Sequence, residues 1–81
     1  MSMHLEVISP EKSIYEGDVV LVQLPGKMGS FEILNNHAPI IALLEKGTMK
    51  IIDSERNKVT LDIEDGVVEV QNNQILVLTD S

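Results

Sequence analysis

Few residues in this sequence have the types and spacing that catalysis or metal binding requires. The two histidines, His4 and His37, are far apart and lack the paired spacing that brings two imidazoles to one metal ion. Glu64 and Asp65 are adjacent acids, but they precede Gly66 in a predicted surface turn, where neighbouring carboxylates are usually solvated. We therefore expect no metal site and no general acid–base pair.

Serine and glycine patterns also give no catalytic motif. No serine has the Gly-x-Ser-x-Gly context of a nucleophile elbow. The Gly-Lys-Met-Gly-Ser segment at 26–30 resembles a phosphate-binding loop only superficially, because the Gly-x-x-x-x-Gly-Lys-Ser/Thr spacing and a following helix are missing. We interpret it as a β-turn loop. The sequence thus predicts a protein that is not an enzyme and that binds no cofactor.

Charge and hydropathy exclude two further classes of function. Six basic and 13 acidic residues give a net charge of −7, which disfavours nucleic acid and anionic lipid surfaces. The N-terminus has no signal-peptide pattern. The longest nearly apolar run, 38–44, contains Pro39 and is far shorter than the roughly 20 residues that span a bilayer, so no direct membrane insertion is expected.

The residues that surround these segments indicate a single all-β domain, residues 1–81. Short apolar runs recur every 8–12 positions with turn residues between them, as in a sandwich or barrel. Val and Ile favour strands, and the absence of Cys leaves packing to hold the fold. Asn72-Asn73 is predicted to close a hairpin. We predict a flattened β-sandwich of about nine to ten short, mostly antiparallel strands, with candidates at 4–9, 13–16, 19–24, 30–34, 40–44, 48–52, 58–63, 67–71 and 75–79.

Three segments, in this order and at this spacing, resemble the epsilon subunit of F-type ATP synthases, specifically its N-terminal β-sandwich domain. The first segment is 5–12, followed by Tyr-Glu-Gly at 15–17. The second begins with Leu-Pro-Gly at 24–26 and leads to His-Ala-Pro at 37–39. The third is 66–71, together with 77–80. The chain departs from the family pattern at several positions. Asn35 and Asn36 replace a Pro-Gly pair, although Asn tolerates the left-handed conformation. Ser30 and Glu32 replace an acidic residue and a glycine, which moves the negative charge by two positions.

The resemblance implies a non-catalytic central-stalk subunit that binds the gamma subunit and the membrane rotor ring of c subunits. Ion flow would then be coupled to ATP synthesis at the cytoplasmic face of the cell membrane, with the subunit held there peripherally. By this resemblance the gamma-interface candidates are Ser9, His37 and Ala42. The candidates for contact with the rotor ring are Gly26, Lys27, Met28, Gly29 and Ser30.

Alternative interpretations remain open at this point. Gly26 and Gly29 also suit simple turn formation, and His37 suits a turn cap. A stand-alone β-sandwich adaptor or a small-ligand-binding domain is the competing function. The resemblance also leads us to expect a chain without the family's C-terminal helical hairpin, and hence without the inhibition of ATP hydrolysis that is assigned to that hairpin.

Overall fold

The computed structural model describes residues 2–80, which form eight β-strands and no helix. The described range therefore contains no helix that is long and apolar enough to cross a membrane. The predicted all-β class is confirmed. The strands are β1 (Met3–Ile8), β2 (Ser13–Gly26), β3 (Gly29–Leu34), β4 (Ile40–Leu44), β5 (Gly47–Asp53), β6 (Lys58–Ile63), β7 (Gly66–Gln71) and β8 (Gln74–Thr79).

The predicted count of nine to ten strands was too high because two predicted strands, 13–16 and 19–24, are one. Gly17 and Asp18, which separate the two predicted strands, do not form a turn but continue β2 in an extended conformation. Gly17 pairs with Leu5 of β1, and its two neighbours are paired as well. A glycine in a strand is tolerated when its neighbours supply the ladder, so the Gly-Asp pair does not end β2.

A β-bulge in the middle of β2, beyond Gly17, bends this strand. The pairing register with β5 shifts between Val19 and Leu21. Before this point the odd-numbered Val19 is buried, whereas afterwards the even-numbered Val22 and Leu24 are buried. An extra residue in one strand bends it and changes which residues face inward. The bulge thus lets one strand belong to both layers of the fold.

The first half of β2 pairs with β1, and the second half pairs with β3 and β5. One layer consists of β4, β7, β8, β1 and the start of β2, and β1 and β8 are its parallel pair. The other layer consists of β3, the end of β2, β5 and β6. We refer to them as the first and second layers. A single bridge, Gly26 to Leu44, links β4 to β2.

The core between the layers is built almost entirely from aliphatic side chains. In the described range fifteen hydrophobic residues are buried in one cluster. Burial of each large aliphatic side chain contributes roughly 1.5–3 kcal/mol to folding. The members are Met3, Leu5, Val7, Val19, Val22, Leu24, Ile33, Leu44, Met49, Ile51, Ile63, Val68, Val70, Ile75 and Val77.

The predicted hairpin at Asn72-Asn73 is confirmed and joins β7 to β8. Asn72 and Asn73 have φ angles of 52° and 59°, and two consecutive left-handed residues match the twist of the strands they connect. Asn36, in the loop before β4, also has a positive φ of 66°. This agrees with the expectation from sequence that Asn tolerates the left-handed conformation.

A groove beside β4 and an exposed apolar face as candidate functional sites

The three gamma-interface candidates do not lie together. Ser9 borders a hollow at one end of the first layer, beside Gly66 and Thr79. His37 lies in another hollow, beside the Asn72-Asn73 turn. These two hollows are at opposite ends of the β7–β8 hairpin, so roughly 15–20 Å of strand separates them.

Ser9 contributes to a local turn. It is buried, and its hydroxyl donates to the Lys12 carbonyl at 3.2 Å and lies 3.3 Å from the Lys12 amide nitrogen, whose N–H it accepts. The Ser9 amide donates to the same carbonyl at 2.9 Å. A hydroxyl held in this way orders the turn between β1 and β2. Its geometry explains the residue without requiring a partner.

The loop that carries His37 is held by a network of asparagines. Its amide donates to the Leu34 carbonyl at 3.1 Å, and its Nδ1 lies 2.7 Å from the Ala38 carbonyl oxygen, which requires a proton on Nδ1. The side chain of Asn73 accepts from the Asn36 amide at 2.7 Å and donates to Asn35 Oδ1 at 2.8 Å. The β7–β8 turn therefore fixes the loop that carries His37.

Ala42, in contrast, lies beside the predicted ring-contact loop. It is on β4 with its side chain toward the inner side of the first layer, opposite the buried Val68. Here it borders an open groove of about 570 Å³, which we call the β4 groove. The groove is lined by Gly26, Lys27, Met28, Gly29, Phe31, Ile40, Ile41, Ala42 and Leu43.

Two glycines shape the loop at the mouth of the β4 groove. Gly29 has a φ of +124°, a conformation that side chains rarely adopt. A Cβ on Gly26 would lie 2.7 Å from the Phe31 ring, so the absent side chain lets that ring close over the strand end. The Lys27 amide donates to the Leu43 carbonyl at 3.0 Å, which fastens the loop to β4. Met28 is left fully exposed at the tip.

Ser30, the last of the ring-contact candidates, follows this loop but does not line the groove. Its hydroxyl accepts a hydrogen bond from Gln23 Nε2 at 3.1 Å across the β2–β3 pair. The five loop candidates therefore form one continuous hairpin tip. That grouping was expected from their adjacency in sequence, whereas the proximity of Ala42 was not.

Sequence reasoning missed an exposed apolar surface on the outer side of the first layer. Paired residues in neighbouring strands present their side chains on the same face. The register aligns four apolar residues in a row across β1, β8, β7 and β4. The next row adds two more apolar residues, with the exposed Glu69 between them. We call this set the outer apolar face; its members are Ile8, Leu78, Val67, Leu43, Leu76 and Ile41.

Three of the six members of the outer apolar face are exposed, and the other three are half-buried. Ile41, Leu43 and Leu78 have exposed fractions of 74%, 61% and 45%. Contiguous apolar surface of this kind marks interaction sites in soluble proteins. The signal in the sequence was the continuous apolar character of 40–44 and 75–78, where only every second residue can face the core.

A charged cluster lies on the same layer at the β1–β2 edge. His4 Nδ1 is 3.2 Å from Asp18 Oδ1, and His4 Nε2 is 3.1 Å from Glu16 Oε2. The hydrogen bond to Asp18, followed by that to Glu16, raises the pKa of His4 above its ordinary value of 6.5. Among residues 2–80 no group of three or more metal-ligating side chains is arranged to hold an ion.

A family model described as "ATP synthase, Delta/Epsilon chain, beta-sandwich domain" matches residues 2–81. The chain belongs to this ATP synthase Delta/Epsilon family. The chain is similar to the protein named "ATP synthase epsilon chain" of Leptospira interrogans (serovar copenhageni), with 46% identity over 78 residues. These residues cover 96% of this chain and 61% of that relative. The like-named protein of Bordetella avium is 34% identical over 80 residues, 99% of this chain and 57% of the relative.

Solved structures share the Delta/Epsilon fold at low sequence identity. A chain in the mitochondrial ATP synthase of Euglena gracilis, an OSCP/F1/c-ring assembly, superimposes with a TM-score of 0.92 at 16% identity. The present chain covers 51% of that Euglena chain. A chain from the central stalk/c-ring of Tetrahymena thermophila ATP synthase gives 0.80 at 17% identity, with 65% of that chain covered. The present chain thus spans about half to two thirds of the length of these relatives.

Proposed function

We propose that this domain is a non-catalytic rotor part of an F-type ATP synthase. It binds the gamma subunit and the rotor ring of c subunits, and it transmits torque between them without making or breaking a covalent bond. The support is membership of the Delta/Epsilon family together with relatives named ATP synthase epsilon chain. Residues 1–81 form its single domain, held peripherally at the cytoplasmic face of the cell membrane.

The single observation that carries the proposal is the outer apolar face. A coupling element must resist slipping under load, and a stable protein interface needs about 1,000 Å² or more of buried surface with an apolar centre. The outer apolar face supplies such a centre on the first layer. We assign it to gamma, with Ser9 at one end and His37 at the other as border contacts.

The tip of the β2–β3 hairpin is assigned to the rotor ring. Of the five candidates, Lys27, Met28, Gly29 and Ser30 are exposed at one end of the sandwich, whereas Gly26, the last residue of β2, is buried. Met28 is fully exposed. Loops of this kind are more mobile than the strands that they connect, so the tip can adapt to a partner surface. Ala42 borders this loop. Its proposed contact with gamma therefore lies near the ring-facing end of the sandwich and not at the centre of the outer apolar face.

A second candidate function rests on the β4 groove. Its volume, about 570 Å³, lies within the range of small-molecule sites, and apolar side chains line it. A small apolar ligand bound there would make this a ligand-binding or adaptor domain. Binding sites of this kind also present a few convergent polar side chains, and Lys27 is the one charged residue of the lining.

Capture by the stalk partners tests the proposal directly. The tagged chain is mixed with its cognate gamma subunit, and separately with the detergent-solubilised c-ring, and the captured material is quantified. We expect saturable retention of gamma, and retention of the ring that increases when gamma is present. A folded chain that retains neither partner would contradict the proposed function.

A further inference from the structure

Strand β6 forms one end of the second layer, and only β5 pairs with it. The hairpin that joins them is closed by the Asp53 amide, which donates to the Asn57 carbonyl at 3.0 Å. The backbone of Asn57 thus points toward β5. Since successive residues of a strand point their backbone groups to alternate sides, every second residue after Asn57 also bonds toward β5. The residues between them, Lys58, Thr60 and Asp62, point their N–H and C=O groups away from β5.

The backbone groups of these three residues form an unpaired edge, which we call the β6 edge. Within residues 2–80, no hydrogen bond reaches the N–H or C=O of Lys58, Thr60 or Asp62 on this side. Unpaired strand edges are templates for another strand. An arriving strand would find a donor and an acceptor on each of the three residues, in the regular spacing of an antiparallel ladder.

The side chains along the β6 edge carry opposite charges at its two ends. Lys58 and Asp62 are both exposed, whereas Val59 and Leu61 are half-buried and pack against the core. In the part of the chain that the structure describes, Lys58 has no ion-pair partner. Asp62 accepts from the Thr48 hydroxyl at 2.8 Å through Oδ1, which leaves Oδ2 for a cation. The strand thus presents one cation and one anion that an added strand can pair.

An antiparallel copy of the same strand fits this order of charges. When a two-fold axis passes through the Thr60 pair, Lys58 of each chain lies opposite Asp62 of the other, and opposite charges in such positions attract. The same register brings together the free backbone groups of all three edge residues. It also places Val59 opposite Leu61, so that their exposed parts cover one another. A parallel copy in register would instead bring like charges together.

We propose that a second copy of this chain pairs with the β6 edge in antiparallel orientation, so that the two second layers become one continuous sheet. Because each copy uses the same surface, the contact closes at two chains. A single pair of short strands buries little surface, and contacts of this size are weak and transient. The β6 edge belongs to the second layer, so the dimer does not use the outer apolar face and does not rest on the proposed function.

Sedimentation velocity of the chain between about 10 μM and about 1 mM tests for this dimer. We expect the sedimentation coefficient to rise with concentration toward that of two chains. Lys58→Asp should weaken the association at least about tenfold, because two carboxylates then lie opposite each other at both ends of the pair. Lys50→Asp is the matched control, since Lys50 is an exposed lysine on β5 and makes the same change in charge one strand away from the edge. A wild type that stays monomeric throughout this range, or equal losses in the two variants, would overturn the inference.

Exchange of the two charges tests the register. The double variant Lys58→Asp/Asp62→Lys keeps the net charge and restores opposite charges at both ends, so we expect its dissociation constant to return to within about threefold of the wild type. Thermal melting verifies that each variant folds. A folded double variant that dimerises as weakly as Lys58→Asp would show that the two residues do not face each other.

Hydrogen exchange measured by NMR shows whether backbone groups take part. The Thr60 amide should exchange at least about threefold more slowly at the highest concentration than at the lowest, because it gains an acceptor in the dimer. The Leu61 amide is the control, since it already points toward β5. A dimer in which the exchange of Thr60 is as fast as in the monomer would place the contact elsewhere on the molecule and contradict strand pairing at the β6 edge.

Discussion

The position of His4 between two carboxylates gives this surface a group that responds to pH. Carboxylates only accept hydrogen bonds, so both ring nitrogens of His4 can donate to Asp18 and Glu16 only when the imidazole is protonated. The folded state therefore raises the pKa of His4 above 6.5. The resulting stabilisation is present in full below the unfolded pKa and is lost as the pH rises through the higher folded value.

NMR titration of the His4 ring protons measures this effect. We expect the wild-type pKa of His4 to lie above 6.5, and Asp18→Asn to lower it, because the hydrogen bond to a charged acceptor that raises the pKa most is lost. Because the pair is exposed, the change in stability is small and the ring resonance is the better observable. Glu32→Gln is the matched control, since Glu32 is an exposed acid on β3 in the other layer. Identical His4 titrations in the wild type and Asp18→Asn would refute the assigned ion pair.

At the scale of elements, the β7–β8 turn orders the loop that precedes β4. Asn72 and Asn73 both need a positive φ, but only Asn73 has side-chain hydrogen bonds to Asn35 and Asn36. Glycine satisfies the backbone at either position. Asn73→Gly should therefore reduce the free energy of unfolding by about 1–2 kcal/mol through the lost hydrogen bonds, while Asn72→Gly should change it by less than about 0.5 kcal/mol.

Urea denaturation of the two variants compares these elements under identical conditions. Asn73→Gly creates the Asn-Gly pair that such turns favour, so a larger loss of stability in this variant than in Asn72→Gly must come from the side-chain bonds of Asn73. The His37 ring resonances, which report on the same loop, should also shift only in Asn73→Gly. If both variants lost the same stability, the asparagine bonds would not be what fastens the loop.

The sequence predicted some elements well and others not at all. Local chemistry determines the Asn72-Asn73 hairpin and the left-handed Asn36, so both could be predicted from residue types. The continuity of β2 through Gly17 could not, because it depends on pairing with Leu5, which is a tertiary interaction. The contact roles of Ser9 and His37 came from family resemblance alone and stay predictions.

The outer apolar face shows why the candidate site was harder to predict than the fold. In the runs at 40–44 and 75–78, the sequence gives the same apolar signal for residues on both sides of the sheet. Only the layering of the two sheets decides that Val77 is buried and Leu78 is exposed.

At the scale of the whole molecule, apolar and acidic surfaces lie on the same layer. The outer apolar face lies on the same layer as the cluster of Glu16 and Asp18, and the chain carries a net charge of −7. Such an arrangement suits a partner with an apolar patch and a basic border, since the acids increase the rate of encounter while the apolar centre slows dissociation. In the proposed function, the sandwich would thus be a docking surface between rotor components.

Isothermal titration calorimetry of this chain against its cognate gamma subunit tests the central claim that the outer apolar face holds the stalk partner. We compare the wild type with Leu78→Lys and with the matched control Leu34→Lys, because Leu78 on the outer apolar face and Leu34 on the second layer are similarly exposed, at 45% and 50%. The account predicts saturable 1:1 binding that weakens at least about tenfold in Leu78→Lys, where a charge is left in an apolar interface, and changes less than about twofold in Leu34→Lys. Equal affinities for gamma in the two folded variants, or no binding by the wild type, would contradict it.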